Sequence, residues 1–319
     1  MSQPVLNRCD ENRIPESSKC ELRLFMVVRN EELRLPHLLA SYFERGVDRL
    51  FAVDNGSTDD TREMLLADSR HHVFEAGDGF EASQSGRLWL LSLMARYGQG
   101  HWCLIADADE MLIYPGYERL SLCEFTRFLD EVGANGLYCH LLDMYSDRPI
   151  RETNYERGAD PLRSCAYFDA DYQKVVGTFH DRIEGVEYPI DTHAGGMRSR
   201  VFGVEPYCSK VPLLRYDSSL VLARGWHDMI GLQSCGIQGA VLHFKYLWDF
   251  PSRVELDAKR SERRNVADEY AAYLAALTRE PGLCLHHPDS IRFKNSDGLI
   301  DVGVMKSTPA FDRFLAENP

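Results

Sequence analysis

The chain has 319 residues, 44% of them hydrophobic and 11% aromatic, which is enough for a substantial core and too apolar for a disordered polypeptide. Its formal net charge of -13 disfavours a protein whose affinity comes from neutralising phosphate backbones, which needs a dense basic face, so no nucleic-acid partner is expected. Nine cysteines stand singly, with no CxxC or CxxH pair, and read as reduced thiols; no apolar run reaches signal-peptide or membrane-spanning character, so the expected location is cytoplasmic.

Residues 1–21 are polar, include Pro4 and Pro15, and read as a loose arm. Residues 24–28 form a short apolar, partly β-branched run, the pattern of a buried strand. Arg29-Asn30-Glu31-Glu32 then opens a helix in which Leu35, Leu38, Leu39, Tyr42 and Phe43 recur with the period of one helical face, and Gly46 is placed to end it. A second strand at 50–53 leads through the turn Asp54-Asn55-Gly56-Ser57 into a short helix at 58–66, with Ser57 or Asp59 as N-cap. Val73 and Phe74 mark a third strand. Leu88, Leu91 and Ala95 define the face of another helix that ends at Tyr97-Gly98, and residues 102–106 are a fourth strand.

Strands that alternate with helices at this spacing imply right-handed crossovers and an α/β, Rossmann-like fold with a mainly parallel sheet flanked by helices. Ligands of such sheets bind beyond the carboxyl ends of the strands, so Arg29-Asn30, the 54–57 turn and Asp107-Ala108-Asp109-Glu110 share one edge. Beyond about residue 125 the pattern loosens. Residues 252–277 read as helical with a charged start, and the last forty residues carry no clear element.

Asp107-Ala108-Asp109 carries the most information. Residues i and i+2 leaving a strand point to one side, so two carboxylates can share a hard divalent cation that bridges the phosphates of a nucleotide diphosphate. With 49 acidic residues such triplets also arise by chance, and Asp169-Ala170-Asp171 is a second one. The position of the first at the end of a buried strand favours it. Asp54 and Asn55 can hydrogen-bond a base and ribose, although a capped strand-to-helix turn needs the same residue types.

Taken together, Met26-Val27-Val28-Arg29-Asn30-Glu31 with Pro36-His37-Leu38-Leu39, then Val53-Asp54-Asn55-Gly56-Ser57-Thr58-Asp59, then Asp107-Ala108-Asp109-Glu110 resemble the inverting family 2 glycosyltransferases of GT-A fold over roughly residues 22–125. The second half is similar to a bacterial subgroup through Gly195-Gly196-Met197-Arg198, Lys210-Val211-Pro212-Leu213, Trp226-His227 and Leu242-His243-Phe244-Lys245. The resemblance implies a nucleotide- and metal-binding half at 22–125, an acceptor-binding half at 126–250 and a C-terminal helical extension at 251–319 of a single domain.

It further implies that Asp54 and Asn55 contact the nucleoside, Asn30 helps hold the nucleotide, Asp109 is the main metal ligand with Asp107 on the ribose or metal side, and His243 is the third ligand with Lys245 near the diphosphate. Family 2 enzymes usually show two carboxylates where this chain has Asp54-Asn55. Arg87 is a candidate phosphate contact because a guanidinium forks onto phosphate oxygens. An imidazole ligand favours Mn²⁺ over Mg²⁺.

The implied reaction is transfer from a UDP-sugar to a glycan, a lipid-linked or another hydroxyl acceptor. Inversion needs a general base, for which Asp228 is the first candidate and Asp181 and Glu205 the next. The charge run Arg253, Lys259, Arg260, Arg263 and Arg264 is interleaved with Glu255, Asp257 and Glu262 and reads as a solvated helix face, with peripheral membrane contact left open. Two other readings stand beside this one: a non-catalytic nucleotide-sugar binding module, and a sugar-1-phosphate nucleotidyltransferase, for which the Gly-rich loop after the first strand is missing. A dinucleotide-dependent oxidoreductase is disfavoured because no GxGxxG follows an early strand.

Overall fold

Part of the polar N-terminal segment is pinned to the body: Leu6–Arg8 (β1) pairs antiparallel with His71–Ala76 (β4), and the Asp10 carboxylate accepts the Val73 N–H at 2.7 Å. The computed structural model describes residues 4–14, 20–77, 79–180, 187–223, 226–259 and 267–318. Between β1 and β4 lie β2 (Leu22–Val28), α1 (Leu35–Glu44), β3 (Arg49–Asp54) and α2 (Thr61–Leu66). The chain continues through α3 (Arg87–Tyr97), β5 (Trp102–Ile105), β6 (Glu110–Ile113), α4 (Leu122–Glu131) and β7 (Gly136–Asp143). The second half contributes β8 (Tyr167–Phe168), the long hairpin β9 (Tyr172–His180) and β10 (Glu187–Gly195), then α5 (Gly196–Phe202), β11 (Ser209–Arg215), β12 (Val221–Ala223), β13 (Asp228–Ile230) and β14 (Gln238–His243). It closes with α6 (Phe250–Lys259), α7 (Ala267–Arg279), β15 (Ile291–Arg292), α8 (Ser296–Asp301) and α9 (Pro309–Glu317).

A nine-stranded sheet of order β1-β4-β3-β2-β5-β11-β7-β14-β6 forms the centre of this α/β, Rossmann-like fold. The block β4-β3-β2-β5 is parallel throughout, as the βαβ alternation requires, and β14 joins β7 in parallel. Antiparallel β11 splices the two parallel groups together by pairing with both β5 and β7, and β6 closes the edge against β14. Because β11 reverses direction between them, β2, β3, β5, β7 and β14 all end on one edge, while β11 and β6 begin there. That edge collects Arg29, Asn55, the 107–110 turn, Asp143, Lys210 and His243.

The sheet is covered on both faces, so its strands are apolar on both sides. Leu24, Met26 and Val28 of β2 face the layer that contains α1, and Phe25 faces the layer that contains α3. In α1 Leu35, Leu38, Leu39 and Tyr42 are buried as the spacing predicts, whereas Phe43 is half-buried, and Gly46 adopts φ 100° just beyond the helix end. The Tyr42 hydroxyl donates to the Glu110 carbonyl and accepts the Leu112 N–H, both at 3.0 Å, which fixes β6 against α1.

Two sequence expectations are corrected. The buried face of α3 is Trp89, Leu90, Leu93 and Met94, whereas Leu88 and Leu91 are half-buried and Ala95 is exposed. Apolar residues occupy most of the circumference of this helix, so periodicity alone does not single out the inward side. The last forty residues also contain α8 and α9. In α9 Thr308 caps the Phe311 N–H, Pro309 starts the helix, Phe311 packs edge-on against Phe125 and Phe128 of α4, and Phe314 packs tilted against Phe128. All nine cysteines are free thiols. Among the described residues no helix is long and apolar enough to cross a membrane.

The inward face of α3 gives a direct test. Leu93→Ala should lower the unfolding free energy by about 2–5 kcal/mol, as deletion of buried methyl groups does, whereas Ala95→Ser should stay within about 0.5 kcal/mol of the parent; urea unfolding followed by circular dichroism reads both.

Candidate functional site

A cleft of about 460 Å³ opens at the shared strand edge, and its walls include Arg29, Asn55, Asp109, Lys210, His243 and Arg253. Its floor is the turn between β5 and β6. The Glu110 carboxylate accepts the Asp107 N–H at 3.3 Å and the Glu110 N–H returns to the Asp107 carbonyl at 3.1 Å, so residues 107–110 form a closed loop. The Asp109 carbonyl accepts the Phe244 N–H at 2.8 Å, which joins this loop to the segment leaving β14.

The Asp109 carboxylate faces His243 Nε2 at 3.6 Å, while His243 Nδ1 lies 2.9 Å from Asp143 Oδ1. Asp143 is buried, and Arg198 Nε donates to its other oxygen at 2.6 Å. Arg198 Nη1 lies 3.4 Å from Glu269 of α7, and Lys245 Nζ lies 3.7 Å from the same carboxylate, over the ring of Tyr273 at 4.6 Å. Negative and positive groups thus alternate from Asp109 through His243, Asp143, Arg198 and Glu269 to Lys245. Burial opposes ionisation of Asp109, but His243, then Arg253 and Arg34, hold its carboxyl far below the usual range. Burial likewise works against the His243 imidazolium, and Asp109 and Asp143 overcome it to raise the group to about 9. Lys245 goes the other way: burial brings its ammonium down to about 8, with Glu269 opposing.

On the opposite wall Lys210, at the start of β11, donates to Asp107 at 3.2 Å and pairs closely with the buried Glu110. Burial raises Glu110, with Lys210 opposing. Across the mouth, Glu31 accepts from Arg253 of α6 at 2.5 Å, and Arg34 forks onto Asp249 at 2.6 and 2.8 Å. Arg253 therefore lines the cleft, with its side chain 37% exposed. Lys259, Arg260, Arg263 and Arg264 of the same charge run have side chains outside the described residues.

The structure brings together Asp109, His243, Lys245, Asn55 and Asp107 at this cleft. It spends other candidates elsewhere. Asn30 takes the left-handed φ of 55° and its side-chain oxygen accepts the Thr58 N–H at 2.7 Å, so it ties two loops together. Asp54 is fully buried, with Oδ1 on the Ser57 N–H at 3.0 Å and Oδ2 3.7 Å from Arg62. Arg87 points to the Leu222 carbonyl and to Gln84, both at 3.3 Å. Neither Asn30, Asp54 nor Arg87 lines the cleft. Glu205 sits on an exposed loop away from it. Asp228 opens β13, where its backbone alone is described, and Asp181 lies outside the described residues. The second triplet is structural: Asp169 is buried against Arg200 and Tyr145.

Asp109 and His243 suit a divalent cation, since a carboxylate oxygen and a ring nitrogen steadied from behind by a carboxylate converge on one spot. Asp107 does not complete a three-ligand set, because Lys210 engages it, and among the described residues no three His, Cys, Asp or Glu side chains are grouped to hold a metal. A cation here would take two protein ligands and complete its shell from phosphate oxygens and water. The sequence reading missed Asp143, Glu269, Arg198 and the Glu31–Arg253 pair as site-forming groups. Asp143 ends an apolar strand as Asp107 follows one, so the same strand-end rule reaches it; Glu269 carries no local signal.

No protein-family model matches the sequence, and no curated protein matches it either. Solved structures with some likeness include glucosyl-3-phosphoglycerate synthase from Mycobacterium tuberculosis, crystallised with Mn²⁺, UDP and glucosyl-3-phosphoglycerate, at 18% identity and a TM-score of 0.26 over 39% of this chain and 44% of that one. A 4-diphosphocytidyl-2C-methyl-D-erythritol synthase is similar at 14% identity and a TM-score of 0.28, over 55% of this chain and 74% of that one. The match thus spans less than half the length of the glucosyl-3-phosphoglycerate synthase, and the functional reading rests on the cleft.

The Lys210–Glu110 pair yields a pH-dependent expectation. Lys210→Met leaves Glu110 buried without its cation, which should cost about 3–5 kcal/mol at pH 8. A carboxyl whose folded pKa is raised stays protonated in the fold while the unfolded chain ionises, so that penalty should grow as pH rises above about 4.3 and fade below it. Urea unfolding of variant and parent at pH 4 and pH 8 checks the direction.

Proposed function

We propose that this chain is a metal-dependent, inverting GT-A glycosyltransferase that moves a sugar from a nucleotide diphosphate donor, a UDP-sugar in our reading, to a hydroxyl acceptor on a glycan, a lipid-linked glycan or another carrier. The observation that carries the reading is the Asp109–His243 pair at the shared strand edge, braced by Asp143 and set among Lys245, Arg253 and Arg29. An open α/β sheet binds its ligand at that edge. Bound there, Mn²⁺ or Mg²⁺ would neutralise the charge that develops on the departing diphosphate.

The remaining roles belong to the chain itself. Lys245 and Arg253 supply positive charge beside the metal pair for the diphosphate. Asn55 lies at the end of β3 for the ribose or base, and buried Asp54 serves this turn by holding the Ser57 N–H. The acceptor proton needs a carboxylate opposite the leaving group. Asp228, with its backbone next to cleft-lining His227, remains the first candidate, ahead of Asp181 and Glu205; Asp257 of α6 lines the cleft and joins them.

Thermal melting of the protein against UDP, GDP, CDP and their sugars, each with Mn²⁺ or EDTA, tests the donor assignment. One UDP-sugar should raise Tm in Mn²⁺ and not in EDTA, because a ligand bound only by the native state stabilises it. Asp109→Ala should abolish that shift, and turnover should release UDP. Release of pyrophosphate from a nucleoside triphosphate and a sugar phosphate would instead identify a nucleotidyltransferase, and binding without turnover a donor-binding module.

A further inference from the structure

We propose that Asp143 and Arg198 are positioning residues for the metal-binding pair: Asp143 fixes the orientation and tautomer of His243 so that Nε2 addresses Asp109, and Arg198 fixes Asp143. The inference rests on the metal reading given under Proposed function.

An imidazole can turn about its bond to the backbone and can carry its proton on either nitrogen, so a histidine ligand needs something to settle both choices. Here the sheet does so. Asp143 and His243 are direct partners in the parallel pairing of β7 with β14, at the last residue of each strand, and their side chains meet at 2.9 Å through Nδ1 and Oδ1. A carboxylate on Nδ1 keeps a proton there, so Nε2, which faces Asp109 at 3.6 Å, is the nitrogen that would give up its proton to take a metal.

Asp143 is only 1% exposed, so it must itself be matched by positive charge. Arg198 supplies it at 2.6 Å from the remaining oxygen. The position of Arg198 follows from the entry to α5: Gly195 and Gly196 hold φ 116° and 67°, and a Cβ on Gly196 would lie 2.7 Å from the Tyr172 ring. The left-handed backbone at both positions favours glycine, and it sets the entry to α5 from which Arg198 reaches Asp143. A salt bridge that merely supported the fold would have no reason to end on the ring nitrogen behind the metal-facing one.

The test measures Mn²⁺ affinity by electron paramagnetic resonance of the free ion, in the presence of UDP and without acceptor, for wild type, Asp143→Asn, Asp143→Ala and Arg198→Met. Loss of a partner behind a metal-bound histidine typically weakens metal affinity 10–100-fold. Asp143→Ala should fall in that range. Asp143→Asn, which can still accept from Nδ1 but carries no charge, should fall between it and wild type, and Arg198→Met should weaken binding several-fold. Where the alanine variant does not fold, the asparagine variant decides. A folded Asp143→Asn protein that binds Mn²⁺ within twofold of wild type would overturn the positioning role and leave the metal site intact. Failure of wild type to bind Mn²⁺ with UDP would remove the metal site, and this inference with it.

Discussion

Buried charge has to be answered by opposite charge, and at this cleft that requirement organises the chain. Asp109, Asp143, Glu110 and Glu31 are carried to the sheet edge by strands and by the loop after β2, and each meets a cation from a segment distant in sequence: His243, Arg198, Lys210 and Arg253. Left alone in a low-dielectric interior any one of these carboxylates would be costly or would take up a proton. The pairs therefore fasten β11, β14 and α6 to the loops after β2 and β5, and α5 to the end of β7, while they shape the cleft.

The same pairs decide what the cleft can hold. An alternating line from Asp109 to Lys245 is nearly neutral along its length, yet it presents a carboxylate and a ring nitrogen at one end and an ammonium at the other. A divalent cation and a diphosphate bound together would match that polarity. Lys210 and Glu110 settle the opposite wall, and by engaging Asp107 they leave Asp109 as the carboxylate that faces His243. The sheet makes this economical, because a single antiparallel strand, β11, turns two parallel groups so that their ligand-bearing ends coincide.

Much of the first half was legible because its elements are local. The period of Leu35, Leu38, Leu39 and Tyr42 describes α1 without reference to anything else, and the apolar runs of β2, β3 and β5 announce strands buried on both faces. Local pattern failed where more than one face was apolar, as in α3, and where elements were short. In α9 the signals were present, with Thr308 as cap, Pro309 after it and aromatic residues three apart, but a nine-residue helix offers little periodicity to read.

By itself the sequence determined the α/β alternation, the strand end that carries Asp107-Ala108-Asp109 and the presence of His243 at the end of an apolar run, since these depend on residues a few positions apart. Tertiary structure decided which of those groups act together. Asn30 and Arg87 went to loop and helix anchoring and Asp107 went to Lys210, because each was claimed by a partner that only folding brings near, while Asp54 was buried and held the Ser57 N–H within its own turn. Asp143 and His243 are a hundred residues apart and became neighbours through the register of β7 with β14. Sheet register and the pairing of buried charges are properties of the whole fold, and no local window of sequence contains them.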